Sequence, residues 1–322
     1  MTNRGPALGV LMVISSAVLF AVNGTVSKLV LRAGIDPAQL TLIRAAGAFV
    51  GLLALSLLLR PGARRLRVTV GQLPLLIGYG LAGFFLVPML YFVAISRMPV
   101  GIALLFEYTA PLLVALWARF GEHQRVRPRL WGGLALSLVG LACVAEVWGK
   151  LQLDGLGVLA GFGAAVLLAG YYVLGARGVR DRDTLSLTTL AFGASAVVGL
   201  LTRALSHGTD GWEPLRSSSG GVPVILLCGY VVVLGSIVPF LLVAGALRHL
   251  PATSVGILGM VEPVIAATVA WITLGAGEAL NVAQFGGGLL VLAGVALAET
   301  ARIAEPPVTP AATAPEVVAT PH

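Results

Sequence analysis

Ten apolar runs, most of them close to twenty residues long, follow one another through a chain of 322 residues. They cover 8–31, 39–59, 73–95, 99–118, 130–147, 155–176, 185–205, 222–247, 251–274 and 281–298. A run of ~20 apolar residues is the length a helix needs to cross a hydrocarbon layer of ~30 Å. Lipid offers no partner for backbone polar groups, so only helices or a closed barrel can span it. The runs lack the alternation of barrel strands, and the pattern predicts an all-α integral membrane protein with about ten transmembrane helices. Composition agrees: 57% of residues are hydrophobic and 11% charged, against ~25% charged in a soluble domain. The first run follows Arg4, exceeds the ~7–15 residues of a signal-peptide core and ends without a small-residue cleavage site, which predicts a retained helix.

The formal charge of +7 is placed by topology rather than by nucleic acid. Arginines cluster at Arg60, Arg64, Arg65 and Arg67, at Arg119, Arg125, Arg127 and Arg129, and at Arg177, Arg180 and Arg182. Ten helices with both termini cytoplasmic put all three clusters, with Arg4, Arg248 and Arg302, on the inner side. The outer loops keep Arg32, Arg97, Lys150, Arg203 and Arg216. Anionic inner-leaflet lipid is a sufficient partner, and no nucleic acid is implied. Cys143 and Cys228 stand alone in apolar runs, which indicates neither a disulfide framework nor a metal site. The segment 304–322, rich in Pro, Ala and Thr, reads as a disordered tail.

The chain is internally duplicated. LVPMLYFVAISRMPVGIALLFEYTAPLLVALW at 86–117 lies on IVPFLLVAGALRHLPATSVGILGMVEPVIAATVA at 237–270. Pro88 meets Pro239 (239 − 88 = 151), Pro99 meets Pro251 and Pro111 meets Pro263 (both 152). WGGLALSLVGLA at 131–142 meets FGGGLLVLAGVA at 285–296, and GVLMVISSAVLFA from Gly9 meets GVLAGFGAAVLLA from Gly157. Two five-helix repeats follow, at 9–147 and 155–299. Five is odd, so the second repeat enters the membrane with the opposite polarity to the first. Inverted repeats are the architecture of secondary transporters, whose substrate path lies near the midplane between the halves. A large bundle with a structural or scaffold role is the alternative.

Over residues 9–299 the chain resembles the EamA family of the drug/metabolite transporter superfamily. The five-helix duplication carries the likeness, with LTLIRAAGAF opening the second helix, P-x-x-x-A after Pro111 and Pro263, the Gly121/Glu122 and Gly277/Glu278 pairs, and the Gly-rich closing helices. GIALLFEYTAPLLVAL and VGILGMVEPVIAA look most like exporters of threonine, homoserine and related amino acids. Two departures are the second-half loop LGAGEALN and a long outer loop at 206–221. The resemblance implies a small-molecule exporter, while the family's members move many different metabolites.

Polar residues at membrane depth supply the candidate site. An acid at helix centre costs about 2.5–3.5 kcal/mol on insertion scales, so Glu107 and Glu262 belong against protein or a wet cavity. They align with Gly259 and Ala110 of the opposite repeat, near one seam but not matched. A role limited to tying helices together is the alternative. Pro111, Pro263, Pro88 and Pro239 each free a carbonyl one turn back and mark a cavity wall, a hinge or a packing kink. Ser16, Phe20, Asn23 and Ser27 form one stripe, and Tyr171 stands where Asn23 falls in the second repeat, with Tyr172 beside it and Tyr91 three residues past Pro88. Asn23, Tyr91 and Tyr171 are therefore candidate substrate contacts, with helix-to-helix hydrogen bonding as the other reading. Arg44 is expected to snorkel outward or to pair with an acid, ligand binding being the alternative.

Other chemistries find no support in the chain. GLGVLA at 155–160 fits a dinucleotide fingerprint but opens a spanning helix, no Walker motif is present, and no nucleophile, base and metal constellation appears. No catalytic residue, metal or cofactor is expected. The reading is a multipass secondary transporter that exports a small polar metabolite, an amino acid or a relative, by alternating access, with a proton exchanged at Glu107 or Glu262. A drug exporter or uncoupled facilitator is the rival within transport. It predicts a more aromatic path than this sequence suggests, with Trp117 and Trp271 toward helix ends.

Overall fold

The computed structural model describes residues 4–59, 66–98, 100–148, 154–205, 212–274 and 282–303. Arg60, Arg64, Arg65, Pro99, Lys150, the Gly277/Glu278 pair and the 304–322 segment lie outside the described residues. Each of the ten apolar runs contains a helix. The first repeat holds α1 (Arg4–Arg32), α2 (Pro37–Leu59), α3 (Val70–Arg97), α4 in two halves (Val100–Glu107 and Ala110–Leu116) and α5 (Pro128–Val144). The second holds α6 (Gly155–Asp181), α7 (Thr184–Leu205), α8 (Val224–Ala246), α9 in two halves (Ala252–Gly259 and Glu262–Leu274) and α10 (Val282–Ile303). A short antiparallel hairpin, β1 (Ser218–Ser219) and β2 (Val222–Pro223), precedes α8. Among the described residues, eight of the spans are long and apolar enough to cross a membrane by themselves, and α5 and α9 are shorter. Large apolar side chains such as Leu58, Leu159, Phe285 and Leu289 face outward, as a lipid-facing surface requires.

Acidic residues near the helix ends have local work. Asp36 accepts from the N–H groups of Ala38 and Gln39, Asp154 from that of Gly157 and Asp183 from that of Ser186, so each caps the helix it precedes. Both ends of the bundle carry basic residues and an ion pair. At one end Arg182 donates to the Arg67 carbonyl and Arg177 pairs with Glu122 at 3.3 Å, beside Arg248 and His249 in a shared vestibule. At the other, Arg97 pairs with Asp154 at 3.4 Å and lines a smaller depression with Lys28 and Arg32.

The packing follows the duplication. α1 of the first repeat packs on α8 and α9 of the second, and α6, its mate, packs on α3 and α4. α2 packs on α7, and α5 on α10. Exchanging the repeats maps this network onto itself, so the halves are related by a pseudo-two-fold axis. With five helices per half, they run as inverted repeats.

The α5–α10 seam is a glycine contact. A Cβ on Gly140 would lie 2.6 Å from the Gly287 carbonyl oxygen, and one on Gly133 would lie 2.6 Å from that of Gly294. Without a hydrophobic driving force in lipid, such close backbone approach is what holds helices together. Gly286, next to Gly287, has nothing within 4 Å of its missing side chain. Gly287→Leu is therefore expected to destabilise the detergent-solubilised protein by about 1–3 kcal/mol, the cost of overpacking, while Gly286→Leu leaves thermal unfolding unchanged. Equal melting temperatures for the two variants would contradict this account of the seam.

Candidate functional site

Pro88, Pro111, Pro239 and Pro263 each sit just past an interruption in a helix. In α3 a wide turn over Gly80–Leu86 precedes Pro88, and in α8 one over Val233–Ile237 precedes Pro239. α4 breaks at Tyr108 and Thr109 ahead of Pro111, and α9 breaks at Met260 and Val261 ahead of Pro263. Proline cannot donate to the carbonyl four residues back, and wide i→i+5 turns are common where helices carry function. The four breaks face the centre of the bundle and bound a cavity of about 110 Å³ between the repeats. Pro88 lines it, and all four prolines are buried.

Glu107, Glu262, Asn23, Tyr91, Tyr171 and Arg44 all line this cavity. They come from α1, α2, α3, α4, α6 and α9, so both repeats contribute. Two helix-interrupting glycines make room for two of them. A Cβ on Gly235 would lie 2.0 Å from Asn23 Oδ1, and one on Gly83 would lie 2.2 Å from the Tyr171 ring. Gly83 is five residues before Pro88 and Gly235 four before Pro239 (88 − 83 = 5; 239 − 235 = 4), so the two repeats build the same clearance with a one-residue offset. Asn23 Oδ1 is buried with no hydrogen-bond partner among the described residues. Of the rest of its stripe, Phe20 also lines the cavity, while Ser16 donates to the Val13 carbonyl in its own helix at 2.7 Å.

The carboxyl groups of the cavity lining come from where α4 and α9 break. Glu107 ends the first half of α4 and Glu262 begins the second half of α9. Tyr108 donates its hydroxyl to Glu262 at 2.5 Å, joining the two repeats across the centre. Glu107 and Glu262 are within electrostatic reach of each other and of Tyr91. Both are partly exposed yet deep in the bundle, so their accessible surface faces the cavity.

Arg44 departs from expectation. It does not snorkel outward, and among the described residues it pairs with no acid: it is 2% exposed, and a guanidinium N–H donates to the Phe84 carbonyl. Phe84 lies four residues before Pro88, so that carbonyl is the one proline leaves free. Ser195 of α7 donates to the same oxygen at 2.9 Å. The guanidinium sits 5.5 Å from the Phe192 ring centre and 5.4 Å from that of Phe240, within cation–π range. Its Nε has no hydrogen-bond partner among the described residues.

The walls are also more aromatic than the sequence suggests. Phe20, Phe92, Tyr108, Tyr172 and Phe240 join Tyr91 and Tyr171 around the cavity. Tyr108 was legible in principle, since it follows Glu107 directly in FEYTAP. Behind the wall, Phe84 and Phe192 cluster with Phe240 beside Arg44 and carry no local signal, because the three converge from three helices.

Among the described residues, ten helical segments in inverted repeats, eight of them of membrane-spanning length, with a polar cavity between the halves, fit a membrane transporter of small metabolites. Both halves match the EamA-like transporter family, over residues 7–145 and 155–300, and the chain belongs to that family. It is 29% identical over 289 residues to an uncharacterized transporter of Archaeoglobus fulgidus, covering 89% of this chain and 94% of the relative. It is 30% identical over 216 residues to the threonine/homoserine exporter RhtA of Escherichia coli, 66% of each chain. A S-adenosylmethionine/S-adenosylhomocysteine transporter of Chlamydia trachomatis is 26% identical over 281 residues, 83% of this chain and 82% of that one. A solved crystal structure shares the fold with a TM-score of 0.74 at 22% identity, over 92% of this chain and 99% of that one.

Tyr108→Phe removes the hydroxyl bridging the repeats and is expected to lower stability by roughly 1–3 kcal/mol, the cost of a lost buried hydrogen bond to an acid. Thermal unfolding of the purified variant reads the effect, and an unchanged midpoint would show that the bridge contributes nothing.

Proposed function

We propose that this protein exports a small polar metabolite, an amino acid or a close relative, by alternating access of the two repeats, 9–147 and 155–299, around the central cavity. One observation carries the reading: groups of opposite charge and several neutral polar groups from both repeats line one small cavity at membrane depth. Helix breaks at Pro88, Pro111, Pro239 and Pro263 supply the places where the halves could bend. Asn23, Tyr91 and Tyr171 offer neutral hydrogen-bonding and amphipathic surface to a bound substrate. Glu107 or Glu262 exchanges a proton against the substrate, as acids do in membrane proton relays. The end bearing Arg67, Arg177, Arg182 and Arg248 is assigned to the cytoplasm by its excess of positive charge, with both termini there. The vestibule at that end is then the entry for substrate.

The aromatic lining favours a second reading, export of a bulkier apolar compound. Against it stand the three charged side chains and a volume below the ~300–1,000 Å³ of drug-sized pockets. In proteoliposomes, amino-acid counterflow and acceleration by an imposed pH gradient are expected for the wild type. Glu107→Gln and Glu262→Gln are expected to lose the response to the gradient. Normal transport by both variants with an unchanged pH response would overturn the proton role, and competition by apolar drugs but by no amino acid would favour the second reading.

A further inference from the structure

The cavity is lined by ionisable groups of both kinds. Arg44 is held by the Phe84 carbonyl and two aromatic faces, and Glu107 and Glu262 line the same cavity with Tyr91 and Tyr108. Neither glutamate forms an ion pair with Arg44. A guanidinium this deeply buried is normally matched by an anion, since an uncompensated charge away from water is costly. Here its one protein hydrogen-bond partner among the described residues is a neutral carbonyl, and its Nε finds none. A guanidinium has five N–H donors in a planar fork that suits a carboxylate. We propose that the cavity recognises a free amino acid as a zwitterion, Arg44 taking the carboxylate and the Glu107/Glu262 pair taking the ammonium.

This rests on the reading of the protein as an exporter of small metabolites and names the substrate class of that site. A cation and two acids around one cavity disfavour ligands that carry a single kind of charge. A phosphate or simple carboxylate, drawn to Arg44, would meet two acids in the same cavity. A polyamine, drawn to the acids, would meet a buried cation. A small molecule with both charges satisfies both kinds of group, and Phe20, Leu104, Leu168 and Val243 leave an apolar wall for its side chain. The two acids also break the internal symmetry: Glu107 and Glu262 align with Gly259 and Ala110. The duplication supplies a symmetric frame, and the charges make it polar.

The test uses the full chain in proteoliposomes and the amino acid, from a panel of the common ones, that gives the fastest counterflow. Its methyl ester lacks the carboxylate charge and its N-acetyl derivative lacks the ammonium. Each is expected to compete with the free amino acid roughly tenfold or more weakly, the scale of a lost charge-assisted hydrogen bond. Arg44→Gln is expected to bring the acid-to-ester preference toward unity, while Arg44→Lys keeps part of it. Equal competition by acid, ester and N-acetyl form in the wild type, or an unchanged acid-to-ester ratio in a folded Arg44→Gln protein, would overturn the proposal and leave the exporter reading intact. Absence of counterflow with every amino acid would overturn both. If Arg44→Gln fails to fold, the wild-type analogue comparison decides alone.

Discussion

The carbonyl of Phe84 is the point on which the centre of this protein turns. Pro88 cannot donate to it, and Phe84 is fully buried, so the carbonyl needs a donor from the protein. Arg44 from the first repeat and Ser195 from the second both supply the missing donor. One backbone defect thereby draws a cation into the midplane and fastens α2, α3 and α7 to one another. Phe192 and Phe240 then close over the guanidinium, so the residue most costly to bury is held by a carbonyl and two rings.

The same logic repeats, with different chemistry, across the pseudo-two-fold axis. Interruptions in α4 and α9 place Glu107 and Glu262 at helix ends instead of in unbroken helix, where Tyr108 can reach across the repeats. Interruptions in α3 and α8 place Gly83 and Gly235 against Tyr171 and Asn23. Away from the centre, the Gly133/Gly294 and Gly140/Gly287 contacts bind α5 to α10 in a seam with no room for side chains. The outer helices are thus locked by close packing, whereas the inner ones are broken and polar. A path that must open and close has its weak points where the backbone ladder is already interrupted.

The spans were legible because twenty-residue apolar runs admit few other folds, and the repeats because prolines and glycines recur in the same order at nearly constant offsets. Glu107 and Glu262 were legible for a related reason: an acid in an oily run has few places to be. Arg44 was identified, but its surroundings were not. Snorkelling and acid pairing are the usual fates of a buried arginine, and its real partner is a carbonyl exposed by a proline in another helix. The aromatic surroundings of Arg44 were missed because Phe84, Phe192 and Phe240 are scattered through three spans and meet only after folding. The wide turns ahead of Pro88 and Pro239 have no pattern beyond a few glycines, so their offset of one residue between repeats was invisible.

The account stands or falls on water reaching the charged centre between the halves. With Cys143 and Cys228 replaced by Ala, Leu168→Cys on the cavity wall can be compared with Leu141→Cys in the buried core near the α5–α10 contact, using a small water-soluble thiol reagent on the protein in liposomes. The cavity predicts that the Leu168→Cys variant reacts many-fold faster. Equal, negligible labelling of both would mean that the middle of the bundle is dry, and that no aqueous route serves Arg44, Glu107 and Glu262.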